Sequence, residues 1–273
     1  MKKILVILLT VAFVAGLAGT ALAEDTYDAV KKKGVLVVGT KDASPGFGYI
    51  DPKTREIVGY DVDFAAYIAK KMGVKLEVKG VTSAARIPQL QAGNVDMIAA
   101  TLTYTAERAK QVDFSYTYFL TGQKFLVKKG TVKSLADLDG KKIGTAKGTT
   151  SEQNAAKALP KATILSFDDY PQAFLALQQG KVVAVTTDES ILAGILGKAP
   201  VKNQYEIADI RISDEPYGLA IRKGNPKFLK FINETLLEME KKGEARKIWE
   251  KWFNPKSDQP MERGKFKIVA DRK

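Results

Sequence analysis

Along the chain the apolar residues change period repeatedly, from the two-residue spacing of a strand to the 3.6-residue spacing of a helix. Val35-Leu36-Val37-Val38 is a compact apolar run stopped by Gly39 and predicts a buried strand. Tyr49-Ile50 and Ile57-Val58 flank Asp51-Pro52-Lys53, which predicts a hairpin. Over 61–72, Phe64, Ala65, Ile68, Ala69 and Met72 recur at helical spacing until Gly73 closes the helix. Leu76 and Val78 alternate as a strand, Ile87 and Leu90 mark a short helix, and 97–100 reads as a buried strand.

The alternation then restarts. A strand begins at Lys142-Ile143-Gly144, and a helix over 149–159 opens with a capping box between Thr149 and Glu152. Residues 163–167 form the next strand, Pro171 opens a helix that stops at Gly180, and 182–185 is a strand with Asp188 just past its end. A strand over 217–221 leads into helices over 226–241 and 244–252. Repeated βα units favour an α/β fold with parallel sheet. Two units of similar size, joined by 121–129 and followed by a helical pair that packs back on the first, predict two lobes with two chain crossings. The expected boundaries are 24–122 with 216–273 for lobe 1 and 123–215 for lobe 2.

The N-terminus stands apart from this pattern. Met1-Lys2-Lys3 is a basic start, 4–15 is apolar apart from Thr10, and small residues lead to Ala21-Leu22-Ala23 before Glu24. This is the form of a cleaved secretory signal peptide, residues 1–23, rather than of a membrane anchor, which needs about 20 uninterrupted apolar residues. With no Cys in the sequence there is no acceptor for an N-terminal lipid, so a periplasmic, unlipidated product is expected.

Composition narrows the chemistry. Both Cys and His are absent, which excludes disulfides, thiolate nucleophiles, imidazole-based triads and Cys/His zinc sites. The net charge of +12 raises nucleic acid as a partner, but the basic residues occur mostly in ones and twos and are not interleaved with aromatics as a stacking platform. Lys31-Lys32-Lys33 and Lys128-Lys129 read as solvated faces. No nucleic acid, cofactor or metal is expected.

In open α/β sheets, ligands bind beyond the carboxyl ends of strands. Polar residues at those ends are Thr40, Lys41 and Asp42; Ser83 and Arg86; Thr101, Thr103 and Arg108; Lys147 through Thr149 and Thr150 to Ser151; and Asp188. Excess cations, hydroxyls and one or two carboxylates suit a small zwitterion carrying extra negative charge. Each also has a structural reading. Arg108 could pair with Glu107, Asp188 could cap the helix that follows, Gly148-Thr149-Thr150-Ser151 could be only a helix start, and Arg86 could brace the helix at Ile87 while Lys41 is solvated. Asp61 and Asp63 need no more than a helix N-terminus, and Trp249, Trp252 and Phe253 no more than packing.

The string Gly59-Tyr60-Asp61-Val62-Asp63-Phe64 with Ala65-Ala66-Tyr67-Ile68-Ala69 resembles the signature helix of the polar amino-acid-binding proteins that serve ABC importers. Gly93-Asn94-Val95-Asp96-Met97, Thr103-Tyr104-Thr105-Ala106-Glu107-Arg108, Gly148-Thr149-Thr150-Ser151-Glu152 and Lys241-Lys242-Gly243 extend the match over most of the mature chain. The resemblance implies a two-lobed periplasmic binding protein-like fold of type II with a two-strand hinge, a monomer that closes on an amino acid and delivers it to a membrane permease. It assigns Arg108, Thr103 and the Thr149/Thr150 region to the ligand α-carboxylate, and Asp188 with Thr101 to the ammonium.

The string Thr82-Ser83-Ala84-Ala85-Arg86-Ile87-Pro88 resembles the glutamate/aspartate-binding branch, where the Ser and Arg engage the side-chain carboxylate, and Lys41 stands where that branch often has arginine. Tyr170 departs from it, falling where some members have a ligand-contacting histidine, so aspartate, glutamate and glutamine all stay open. An enzyme on the same scaffold, like the periplasmic cyclohexadienyl dehydratases, is the alternative; its proton donor would be Glu189.

Overall fold

The computed structural model describes residues 24–271, so the expected signal peptide lies outside the described residues. The elements are α1 (Thr26–Lys33), β1 (Val35–Thr40), β2 (Ala43–Ser44), β3 (Gly48–Ile50), β4 (Ile57–Val58), α2 (Tyr60–Met72), β5 (Lys75–Gly80), α3 (Arg86–Gln91), β6 (Met97–Ile98), α4 (Ala106–Ala109) and β7 (Val112–Lys128). They continue with β8 (Lys142–Ala146), α5 (Thr150–Ala158), β9 (Thr163–Phe167), α6 (Tyr170–Gln178), β10 (Ala184–Asp188), α7 (Glu189–Lys198), β11 (Tyr205–Arg222), α8 (Pro226–Lys241) and α9 (Glu244–Phe253).

Among the described residues one eight-stranded sheet runs in the order β5-β1-β6-β11-β7-β10-β8-β9, beside a small sheet of β2, β3 and β4. Each half is built from parallel pairs, β5/β1/β6 on one side and β10/β8/β9 on the other, as the βα alternation predicts. The joint is antiparallel. β7 and β11 pair with each other from Tyr205↔Lys128 to Arg222↔Val112 and belong to both halves.

This joint is where the structure departs most from the apolar pattern. The linking stretch and the short strand after Asp214 are parts of two strands of 17 and 18 residues that pair with each other, and polar positions such as Gln123 and Glu215 are buried in them instead of marking turns. β6 is shorter than the apolar run, since Thr101 turns to a φ of 45°, a left-handed value rarely adopted outside glycine. Helix α1 gives no clear periodic signal but is capped by Asp25, whose carboxylate accepts from Tyr27 N, and stops at Gly34 with a φ of 73°. Its lysines are more than a solvated face: Lys33 bonds Asp96 at 2.8 Å and Lys31 donates to Met72 O.

Helices α8 and α9 pack on the first half, as expected. Phe119 of β7 stacks on Trp249 of α9 at 4.9 Å between ring centroids and meets Phe47 edge-on at 4.8 Å, while Phe253 lies against Tyr60 of α2. Aromatic pairs of this kind add about 0.5–1.5 kcal/mol each beyond the area they bury. They anchor the shared strands firmly to the first half. Among the described residues, the chain after α9 has no regular secondary structure and crosses to α7 before returning to α8.

Candidate functional site

The two halves face each other across the shared strands, and the polar strand ends meet there. Lys41, at the end of β1, is only 1% exposed, and its Nζ donates to Ser83 Oγ at 3.0 Å. Arg86 opens α3 and is 3% exposed. Its Nε donates to Ser83 O and its Nη1 to Ala100 O and Thr101 O, which fixes the guanidinium plane and leaves Nη2 without a hydrogen bond to the described residues. So Arg86 does brace the turn before α3, as its structural reading held, and Lys41 is not solvated.

Thr101 is held in its strained turn by Asp61, whose Oδ2 accepts Thr101 N at 2.8 Å while Oδ1 accepts the Tyr118 hydroxyl at 2.6 Å. A helix-terminus role alone therefore does not describe Asp61. Asp63 likewise accepts from Trp252 Nε1 and Lys251 Nζ, both at 2.7 Å.

Arg108 does not pair with Glu107, which bonds Lys110 instead. Its Nη1 donates to Thr103 O at 2.9 Å and its Nη2 to Gly148 O at 3.2 Å, so one guanidinium touches both halves. Burial, with Arg86 nearby, pulls it down to about 10. Lys41 is lowered to about 8 by burial first and by Arg86 second.

From the second half, Thr149 caps α5 by accepting Glu152 N, but the return arm of the expected capping box reaches Gly148 N rather than Thr149 N. Asp188 is the last residue of β10 and stands at the cap position of α7 without a side-chain capping bond. The capping alternative thus fails. Its Oδ2 accepts the Tyr217 hydroxyl, and its Oδ1 is buried with no partner among the described residues. Burial, reinforced by Glu215, pushes the Asp188 carboxyl up to about 7. Tyr170, the buried first residue of α6, lies near it, and burial with the Asp188 carboxylate nearby pushes its hydroxyl up.

Glu215 of β11, 1% exposed, joins the site although it is not among the strand-end residues. Its Oε2 accepts from Thr103 Oγ1 at 2.6 Å and Thr150 Oγ1 at 2.7 Å, and its Oε1 from Asn154 Nδ2 at 3.0 Å and Ser213 Oγ at 2.5 Å. The hydroxyls expected to face a ligand carboxylate are thus engaged by an internal one. Gln123 of β7 extends the network, accepting from Asn154 and donating to Ser151 O and Thr186 Oγ1. A signal existed: at a period of two, Ser213, Glu215 and Tyr217 share one face of a strand, but only if β11 is started before Tyr217.

The structure therefore brings together Lys41, Ser83, Arg86, Thr101, Thr103, Arg108, Thr149, Thr150 and Asp188, with Glu215, Gln123 and Tyr217 added from the shared strands. Three cations face two carboxylates, and every protein partner of the cations is a hydroxyl or a backbone carbonyl. Such a site can neutralise a small molecule with more negative than positive charge. Glu189, the alternative's proton donor, is bonded to Lys124 Nζ at 3.1 Å.

Residues 36–255 match the bacterial extracellular solute-binding proteins, family 3. The chain is 42% identical over 256 residues to the ABC transporter glutamine-binding protein of Bacillus subtilis (strain 168), covering 91% of this chain and 93% of that protein. It is 36% identical over 272 residues to the glutamate/aspartate import solute-binding protein of Salmonella typhimurium, covering 93% and 90%. Among solved structures, the ancestral amino acid-binding protein that is a precursor of cyclohexadienyl dehydratase superposes with a TM-score of 0.77 at 38% identity, covering 84% of this chain and all of that one.

Proposed function

Because the chain belongs to the bacterial extracellular solute-binding proteins of family 3, we propose that it captures a free amino acid, glutamate or aspartate by preference, and delivers it to an ABC importer. The carrying observation is the set of buried cations that form no ion pair among the described residues, Lys41 and Arg86 above all. Burying such charges is costly unless an anion joins them, and a ligand side-chain carboxylate beside Ser83 supplies it. Arg108 takes the α-carboxylate beside Thr103 and the Thr149/Thr150 turn; the Thr103 and Thr150 hydroxyls keep donating to Glu215, which leaves the turn's backbone N–H groups as the added donors. Asp188, whose Oδ1 lacks a partner, takes the ammonium beside Thr101.

In this reading, residues 1–23 are removed on export and the monomer works in the periplasm. Lobe 1 comprises 24–122 and 216–273, lobe 2 comprises 123–215, and β7 and β11 are the hinge on which they close. Glutamine is the second reading, favoured by the Bacillus subtilis relative. A dehydratase is disfavoured because Glu189 is tied to Lys124 and Asp188 is left for an ammonium.

A thermal-shift panel of the common amino acids tests the proposal. A ligand that binds only the folded state, at about 100 times its dissociation constant, stabilises by about 2.7 kcal/mol. Glutamate and aspartate should give the largest shifts, glutamine a smaller one and arginine none. Conversion of prephenate or arogenate to an aromatic product, or a panel led by arginine, would overturn it.

A further inference from the structure

The chain beyond α9 is fastened to both halves. On the first half, Met261 N donates to Phe253 O at 3.0 Å, Trp249 Nε1 donates to Met261 O at 3.1 Å, and Arg263 pairs with Glu240, which also accepts Ile268 N at 3.1 Å. On the second half, Asp258 pairs with Lys198 of α7 at 2.5 Å, and Gln259 Nε2 donates to Ser190 O at 2.6 Å, two residues past Asp188.

Gln259 is 4% exposed and fills a slot cut by glycines from both halves. A Cβ on Gly46, in the turn between β2 and β3, would lie 2.2 Å from Gln259 Oε1. One on Gly194 of α7 would lie 2.6 Å from the same atom and 2.6 Å from Pro45 O, and one on Gly197 would lie 1.9 Å from Asp258 O. Three glycines in two segments clear the room that 258–259 occupies, and the slot exists only while the β2–β3 turn and α7 are together.

We propose that Gln259 is a positioning residue for the closed cleft: it pins α7 to the first half, so that separating the halves breaks its bond to Ser190 O and exposes its slot. A pin of this kind raises the population of the binding-competent closed form, and apparent affinity scales with that population. A single buried hydrogen bond changes such a ratio by about three- to tenfold. The effect falls on ligand release, because release requires opening.

The experiment compares wild type with Gln259→Met, which keeps the length but cannot donate, and Gln259→Ala, which empties the slot. The rate arm rests on the reading of the cleft as an amino-acid site and uses glutamate as probe in stopped-flow release. The second arm needs no ligand: small-angle X-ray scattering of the unliganded proteins. Release about three- to tenfold faster and a larger radius of gyration are expected for both variants. Gly194→Ala, whose methyl group would push on Pro45 O, should act in the same direction. Unchanged scattering and unchanged release in both Gln259 variants would overturn the pin. Failure of wild type to bind any amino acid would instead sink the functional reading and leave the scattering arm decisive.

Discussion

The two halves of the sheet meet the cleft with opposite chemistry. The β5/β1/β6 half contributes Lys41, Arg86 and Arg108, all cations, whereas the β10/β8/β9 half contributes the carboxylate of Asp188. The first half has a buried acid of its own, Asp61, and burial pushes it to about 7, as it does Asp188. Yet both Asp61 oxygens are used internally, while one Asp188 oxygen is not. Burial and a raised value do not separate a structural carboxylate from a receptor; an unspent lone pair does. With the charges divided this way, only a molecule carrying both signs engages the two halves together.

The most severe way to break that division is at Arg108. Arg108→Ala should weaken every α-amino acid by roughly 3–5 kcal/mol, about two to three decades or more, with folding nearly intact. Unchanged calorimetric affinity would remove Arg108 from the site. Next, Asp188→Asn and Asp61→Asn should behave oppositely. The first should lose roughly 1.5–3 kcal/mol of amino-acid binding, the scale of a hydrogen bond to a charged group, with little change in melting temperature. The second leaves Thr101 N or the Tyr118 hydroxyl without an acceptor and should lose roughly 1–3 kcal/mol of stability. Parallel stability losses in the two would erase the distinction drawn here.

A finer test lies within the cationic half. Arg86→Gln should cost glutamate a decade or more, each decade being about 1.4 kcal/mol, and glutamine less. Isothermal titration with both ligands decides it, and equal losses would point to glutamine or to bracing alone. The mildest effect is on pH. Asp188 must ionise to take an ammonium, so affinity should fall below about pH 7 as protons compete for it. Lys41 must be protonated to meet a distal carboxylate, so glutamate affinity should also fall above about pH 8. Glutamine should keep the acid limb and show a weaker alkaline one; a flat profile between pH 6 and 9 would contradict both assignments.

Much of this was legible because it followed local rules. The Gly73 stop, the Asp51-Pro52-Lys53 turn and the Pro226 helix start each depend on a few neighbouring residues, and the structure keeps them all. Strand-end polar residues also converged as expected. What the local rules missed depends on partners distant in sequence. Asp188 reads as a helix cap until Tyr217, 29 residues away, takes its oxygen. Asp61 reads as a helix-dipole residue until Thr101 needs an acceptor to hold a left-handed turn. Glu215 looks like one more surface acid beside Asp214, because nothing nearby in the sequence announces Thr103 or Thr150.

The shared pair of strands also sets the mechanics of the joint. β7 has 17 residues, a span of roughly 55 Å at the usual rise per residue, and is laddered to β11 from end to end with register shifts between Ala208 and Ser213, Tyr217 and Gly218, and Gly218 and Ala220. A ladder of this kind does not pivot at a point. It bends as a ribbon, each rung yielding a little, with the register shifts as the places where the ladder is interrupted. In the proposed closure the joint would store its motion as elastic twist in a hydrogen-bonded strip, and the amides between its register shifts should keep their protection from solvent exchange.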